Sequence, residues 1–115
     1  MADIELRGSL SRIRKCAYEL LSIKDLMDDE DSWDLMGRDL RLKSTFLFCD
    51  FKKLISHSSE DKKFSFTEIA NRLFYYIQEL DHAMKILNVP LMRHRYNDTA
   101  LVLQEVLAAI MPGEI

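Results

Sequence analysis

Three histidines, two cysteines and two carboxylates on helix faces are the groups of this 115-residue chain whose types could do chemistry. A metal site on helices needs ligands one turn apart, and His57, His82 and His94 supply no i, i+3 or i, i+4 pair, so surface or capping roles are expected for them. Asp81 and His82 are sequence neighbours, so their side chains diverge by about 100° on a helix and form no dyad. Cys16 and Cys49 are too few for a disulfide framework and lack the close spacing of a zinc site. If the first two helices fold back near residues 29 and 30, Cys16 lies level with Lys43 and Cys49 sits roughly 9 Å further along the axis. Two free thiols are expected.

Asp50 and Asp81 fall near the buried seams of their helices, where a perturbed carboxyl could move protons. Neither has a second acid or base on its own face. They are therefore read as structural ion pairs with a neighbouring helix, with Arg41, Arg93 and Arg95 as candidate partners. With only three glycines, the chain holds no phosphate-cradling loop, nucleophile elbow, metalloprotease helix or calcium loop. The expectation is a protein that is not an enzyme, with no catalytic, cofactor-binding or metal-ligating residue.

The elements that would position these groups follow from composition and period. A chain that is 48% hydrophobic and 30% charged, with three Gly and two Pro, favours helices over a turn-rich sheet. A net charge of -3 argues against a nucleic-acid binder, which carries a basic surplus to offset phosphates. No apolar run approaches the ~20 residues that cross a bilayer, and no charged-then-apolar secretion signal opens the chain. A start at Met-Ala-Asp fits either a native beginning or a trimmed mature form.

Apolar residues recur at alternating steps of three and four in four segments. The first carries Leu6, Leu10, Ile13, Ala17, Leu20 and Met27; the second Met36, Leu40, Leu47 and Leu54, flanked by Trp33 and Phe51. The third carries Phe66, Ala70, Leu73, Ile77, Leu80, Met84 and Leu87; the fourth Met92, Tyr96, Thr99, Leu103, Val106 and Ile110. Acidic residues from Asp28 to Asp31 mark a turn, because they suit the positive start of one helix and oppose the negative end of the previous one. Ser65 and Glu68 form a capping box after a polar stretch from His57 to Phe64. Asn88 with Pro90 stops one helix and starts another, and Pro112-Gly113 ends the last. The predicted fold is all-α, a single domain over 1–115, with helices at about 4–27, 32–56, 66–87 and 90–111. Short connections make it a four-helix up-down-up-down antiparallel bundle.

Apolar residues exceed what one core needs. On the second helix Leu35, Leu42, Phe46 and Cys49 form a stripe roughly 130° from the main seam, and on the third Tyr75, His82 and Ile86 lie opposite Ile77. Exposed stripes of this kind mark protein partners, so Leu35, Leu42, Phe46, Tyr75, His82 and Ile86 are the candidate partner-binding residues.

The order of Trp33, Asp39-Leu40-Arg41, Phe46-Leu47, Asp50 and Leu54-Ile55, then Leu73-Phe74, Leu80-Asp81 with Ala83, Tyr96, Leu103 and Val106-Leu107, resembles the PsbQ family of thylakoid-lumen proteins. The likeness runs from about Leu20 to Met111. Asn71-Arg72-Leu73-Phe74-Tyr75-Tyr76 and Glu79-Leu80-Asp81-His82-Ala83 are more similar to the PsbQ-like branch than to the oxygen-evolving enhancer protein itself. The resemblance implies a four-helix bundle without a catalytic centre, in the chloroplast thylakoid lumen, peripheral to the membrane and held by protein subunits of a thylakoid complex. It implies no nucleic acid and no small-molecule substrate, and a transit peptide that is absent from this chain. For the PsbQ-like branch the complex is the chloroplast NADH dehydrogenase-like complex of cyclic electron flow around photosystem I; for PsbQ proper it is photosystem II. Lacking the long Pro-rich basic arm of PsbQ proper and being acidic overall, the chain sits better with the first. A helical mutase is the enzyme-class rival, on a weak likeness of Glu5-Leu6-Arg7 through Glu19-Leu20-Leu21. Its site would need Arg and Lys converging in a cavity, and the inward positions here are apolar.

Overall fold

The computed structural model describes the backbone of residues 2–110 and the side chains of residues 6–110. Four helices carry it: α1 (Ala2–Leu21), α2 (Trp33–Ser56), α3 (Glu60–Lys85) and α4 (Val89–Ile110), with two short 3-10 turns, Ser22–Leu26 and Glu30–Ser32, between α1 and α2. No strand occurs among the described residues. Each helix packs on the next in sequence, and α4 closes the ring against α1. The 26 residues of α3 span about 39 Å at 1.5 Å per residue, close to the 44 Å long axis of the 44 × 22 × 21 Å molecule.

The core lies along the shared axis. Leu20, Met36, Leu40, Leu47, Leu73, Leu80 and Leu103 are at most 1% exposed, and each such side chain contributes about 1.5–3 kcal/mol by leaving water. The alternating three-four spacing that marked these positions is the spacing at which one face of a helix returns to the same neighbour.

Helix boundaries depart from the sequence expectation in three places. The first helix does not run regularly to 27: it tightens into the 3-10 turn after Leu21, whose carbonyl accepts the Tyr96 phenol at 2.5 Å while the Glu19 carbonyl accepts the Ser22 hydroxyl at 2.7 Å. With its carbonyls drawn into other bonds, the last turn closes on shorter spacing, and Ile23 and Met27 still reach the core. The third helix begins at Glu60, not 66, so Ser65 and Glu68 lie inside it and make no capping box. Ser59 is extended, Lys63 N–H donates to the Ser59 carbonyl at 2.8 Å, and Glu60 and Asp61 sit in the first turn, where the helix end is positive. The polar run after Ser59 is composed of good helix formers, and polarity alone does not make a loop.

The third helix ends at Lys85, so Leu87 is outside it and exposed, not part of the seam. Leu87 N–H donates to Met84 and Asn88 N–H to Ala83, which is a Schellman closure with Leu87 in the left-handed position at φ 56°. Asn88 then accepts Leu91 N–H on its side chain at 3.1 Å and so caps α4, with Pro90 in the first turn. The expected stop at Pro112-Gly113, and an end of the last helix at 111, fall outside the described residues.

Candidate partner-binding surface

The two carboxylates singled out by helical position are both held in ion pairs. Asp50 is 4% exposed and takes a fork from Arg12 of α1, whose Nε lies 3.1 Å from each carboxylate oxygen and whose Nη2 lies 2.9 Å from Oδ1. The Asp50 contact raises the already high pKa of the guanidinium, so the arginine stays charged. Asp81 pairs with Arg41 at 2.9 Å and with Lys85 at 3.0 Å. Of the three arginines considered, Arg41 is thus a partner of Asp81, whereas Arg93 pairs with Asp28 and Arg95 with Asp98. Arg12, the partner of Asp50, was not among them. A base whose oxygens are filled by a guanidinium must break that pair before it can accept a proton, and among the described residues neither aspartate forms a hydrogen bond or ion pair with a histidine.

Among the described residues no group of three or more His, Cys, Asp and Glu could hold a metal ion. His57 is turned onto its own helix end, with Nδ1 2.8 Å from the Lys53 carbonyl, and His94 lies 3.9 Å from Asp98. Cys16 is buried and Cys49 exposed, both as free thiols. Burial, helped by Glu19, pushes the Cys16 thiol above its ordinary pKa and keeps it protonated.

The stripe residues stand in water. Leu42 and Phe46 are one turn apart on α2, and exposures across the named hydrophobes run from 50% at Phe46 to 61% at Leu35. Phe46 leans toward α1 and walls a shallow groove with Arg12, Lys15, Cys16, Glu19 and Lys43. Lys43 ties that flank together, reaching Asp39 at 2.7 Å and Glu19 at 3.4 Å. Tyr75 and His82 on α3, and Ile86 just past its end, are also exposed, and Glu79 holds the Tyr75 phenol above its ordinary pKa. The two sets do not merge, because the opposite flank of α2 is where α3 packs: Phe48 meets Phe74 edge-on at 5.6 Å, and Phe74 in turn meets Phe51 at 6.2 Å.

Sequence reasoning passed over further exposed apolar side chains. Phe48, Phe64, Leu87 and Leu101 are more than half exposed. Phe48 carried a signal, being one residue beyond the main seam on the α3 side, and Lys52 lies over its ring at 5.4 Å. The arrangement as a whole is a rigid rod with apolar side chains presented on helices, suited to recognition by packing.

Comparison with known proteins matches this sequence to a family. The family model described as PsbQ, oxygen evolving enhancer protein 3, matches residues 1–111. A protein of Arabidopsis thaliana named photosynthetic NDH subunit of lumenal location 3, chloroplastic, is 41% identical over 107 residues, 93% of this chain and 48% of its own length. Oxygen-evolving enhancer protein 3 of Spinacia oleracea is 35% identical over 99 residues, 86% of this chain and 42% of its own. Oxygen-evolving enhancer protein 3-1 of Zea mays is 32% identical over 100 residues, 87% and 46%. The chain spans about half the length of the curated relatives it matches.

Proposed function

This chain belongs to the PsbQ family, and on that premise we propose that it is a non-catalytic subunit that docks on the chloroplast NADH dehydrogenase-like complex. Its place is the thylakoid lumen, peripheral to the membrane and held there by protein partners. It stabilises that complex in cyclic electron flow around photosystem I and needs no cofactor. The observation that carries this reading is the gap in similarity, 41% identity to the photosynthetic NDH subunit against 35% and 32% to two oxygen-evolving enhancer proteins over slightly shorter stretches. Two features support it: no described helix is long and apolar enough to cross a membrane, and apolar side chains on the α2 stripe stand exposed without a partner in the fold.

The docking surface in this reading has two separate parts, Leu35, Leu42 and Phe46 on α2, and Tyr75 and His82 on α3 with Ile86 just past its end. Replacing Leu42 and Phe46 by serine removes two apolar side chains that are at least half exposed and changes none of the fully buried residues. Helical content and thermal unfolding then stay at the wild-type values, while incorporation into the complex on a native gel falls. Unchanged incorporation removes the α2 stripe from the docking surface. The second reading, an extrinsic subunit of photosystem II supporting oxygen evolution, is favoured by the description of the matching family model. The same gel separates the two, because the complexes differ in size and composition.

A further inference from the structure

A second concavity lies at the end of the bundle where the α1–α2 and α3–α4 connections meet. It is a groove of about 760 Å³. Trp33 and Gly37 of α2 form one side, Met84 of α3 contributes to the floor, and Leu87 and Val89 of the α3–α4 turn form the other side. The Trp33 indole is fixed by donating to the Met27 carbonyl at 3.0 Å, so its ring is a standing wall. A side chain at Gly37 would begin 3.3 Å from Arg41 Nη1 and 3.4 Å from Met84 Cε, so the missing Cβ helps keep the groove open.

The charge around the groove leans negative. Arg41 and Lys85 line it and share the single carboxylate of Asp81, which leaves one of their two charges unmatched. Asp34 pairs weakly with Arg38 across an exposed turn at 3.2 Å. Glu30 and Asp31 stand on the lip, and among the described residues neither forms an ion pair. Two unpaired acids against one surplus cation leave the lip with a net negative charge beside an apolar wall.

Leu87 is the second observation. It occupies the left-handed position that closes α3, where glycine is the usual residue because a Cβ crowds the following carbonyl. Its side chain is 63% exposed, so burial within the chain recovers little of that strain. A strained, water-exposed leucine beside a groove has the character of a residue kept for contact with another molecule.

We propose that this groove docks a protein-partner segment carrying lysine or arginine beside aliphatic side chains, the cation on the Glu30 and Asp31 lip and the aliphatic group against Trp33 and Leu87. The inference rests on the subunit reading above and names the chemistry of the segment that reading leaves unspecified. An anionic membrane surface is the opposite choice, since the lip repels it.

The test uses the NADH dehydrogenase-like complex isolated from thylakoids and salt-washed of its lumenal extrinsic subunits, to which the full chain is rebound. Leu87→Gly and Leu87→Asn both suit the left-handed position, so the free protein unfolds at the same temperature or about 2–4 °C higher. Rebinding nonetheless weakens about tenfold, because one apolar contact is lost. Charge reversal by Glu30→Lys with Asp31→Lys weakens rebinding at low salt, and the difference shrinks as salt rises. A photo-crosslinking residue at position 87 labels a peptide rich in Lys or Arg, whereas one at Gln104, exposed on α4 and outside the groove lining, does not. Wild-type affinity in both the Leu87 and the charge-reversed variants overturns the groove and leaves the subunit reading standing, as does a label at 87 found on lipid. A wild-type chain that does not rebind overturns both.

Discussion

Among the described residues, Asp50 in the Arg12–Asp50 fork is the charged side chain taken almost wholly out of water, and the energetics of the pair can be worked from the geometry. The Asp50 side chain is 6% exposed and the Arg12 side chain 51%, so the carboxylate depends on the guanidinium while the guanidinium keeps a solvated edge. Removing one partner of a fully buried pair costs about 3–5 kcal/mol, because the remaining charge stays desolvated and unpaired. The open edge of Arg12 lets water reach the gap, which lowers the figure here to about 2–3 kcal/mol for Arg12→Met, a change that keeps the apolar stem. In a domain of this size that corresponds to a fall of roughly 10 °C in the unfolding midpoint. Asp50→Leu instead removes the buried charge and leaves Arg12 free to turn outward, at a cost of about 0–1 kcal/mol. The double variant should lie within about 1 kcal/mol of wild type, so the two changes are strongly non-additive. Urea unfolding followed by helical circular dichroism reads all four corners of the cycle. If Asp50→Leu costs as much as Arg12→Met and the two changes add, the carboxylate is not dependent on its partner and the reasoning fails.

Two further outcomes are expected. A thiol reagent modifies Cys49 at once in the folded protein and Cys16 only after denaturant is added, because the first is exposed and the second buried with its pKa pushed up; rapid reaction of both contradicts the placement of α1. Arg72 grips Glu105 through two bonds of 2.8 and 2.9 Å and holds the carboxyl below its ordinary pKa. The stabilisation is then full above the ordinary glutamate value and lost as pH falls through the lowered one, so wild type and Glu105→Gln should converge in stability only in acid, with a small, salt-screened gap at neutral pH.

Much of the bundle was legible because helix burial is periodic: Met36, Leu40, Leu47 and Leu54 declare one buried face by spacing alone, and the structure buries all four. Boundaries were harder where two local signals competed. Ser65 with Glu68 has the capping-box pattern, but the same spacing occurs inside helices, and the acidic pair Glu60-Asp61 next to Ser59 was the stronger start. The tightening after Leu21 depends on the Tyr96 phenol, 75 residues away, and no local pattern contains it. The same holds for Arg12: its sequence neighbourhood says surface arginine, and only the docking of α1 on α2 brings it onto Asp50. Exposure of Leu42 and Phe46 was readable from the wheel, whereas the groove beside Leu87 required the α3–α4 turn, because a leucine at a helix end reads as seam until its φ is known.

The most direct measurement is affinity isolation of the tagged chain from intact thylakoids, with bound subunits quantified by mass spectrometry against an untagged control. Subunits of the NADH dehydrogenase-like complex should be enriched well above those of the photosystem II core. Enrichment of the photosystem II core in their place would contradict the account and transfer the chain to the oxygen-evolving branch of its family.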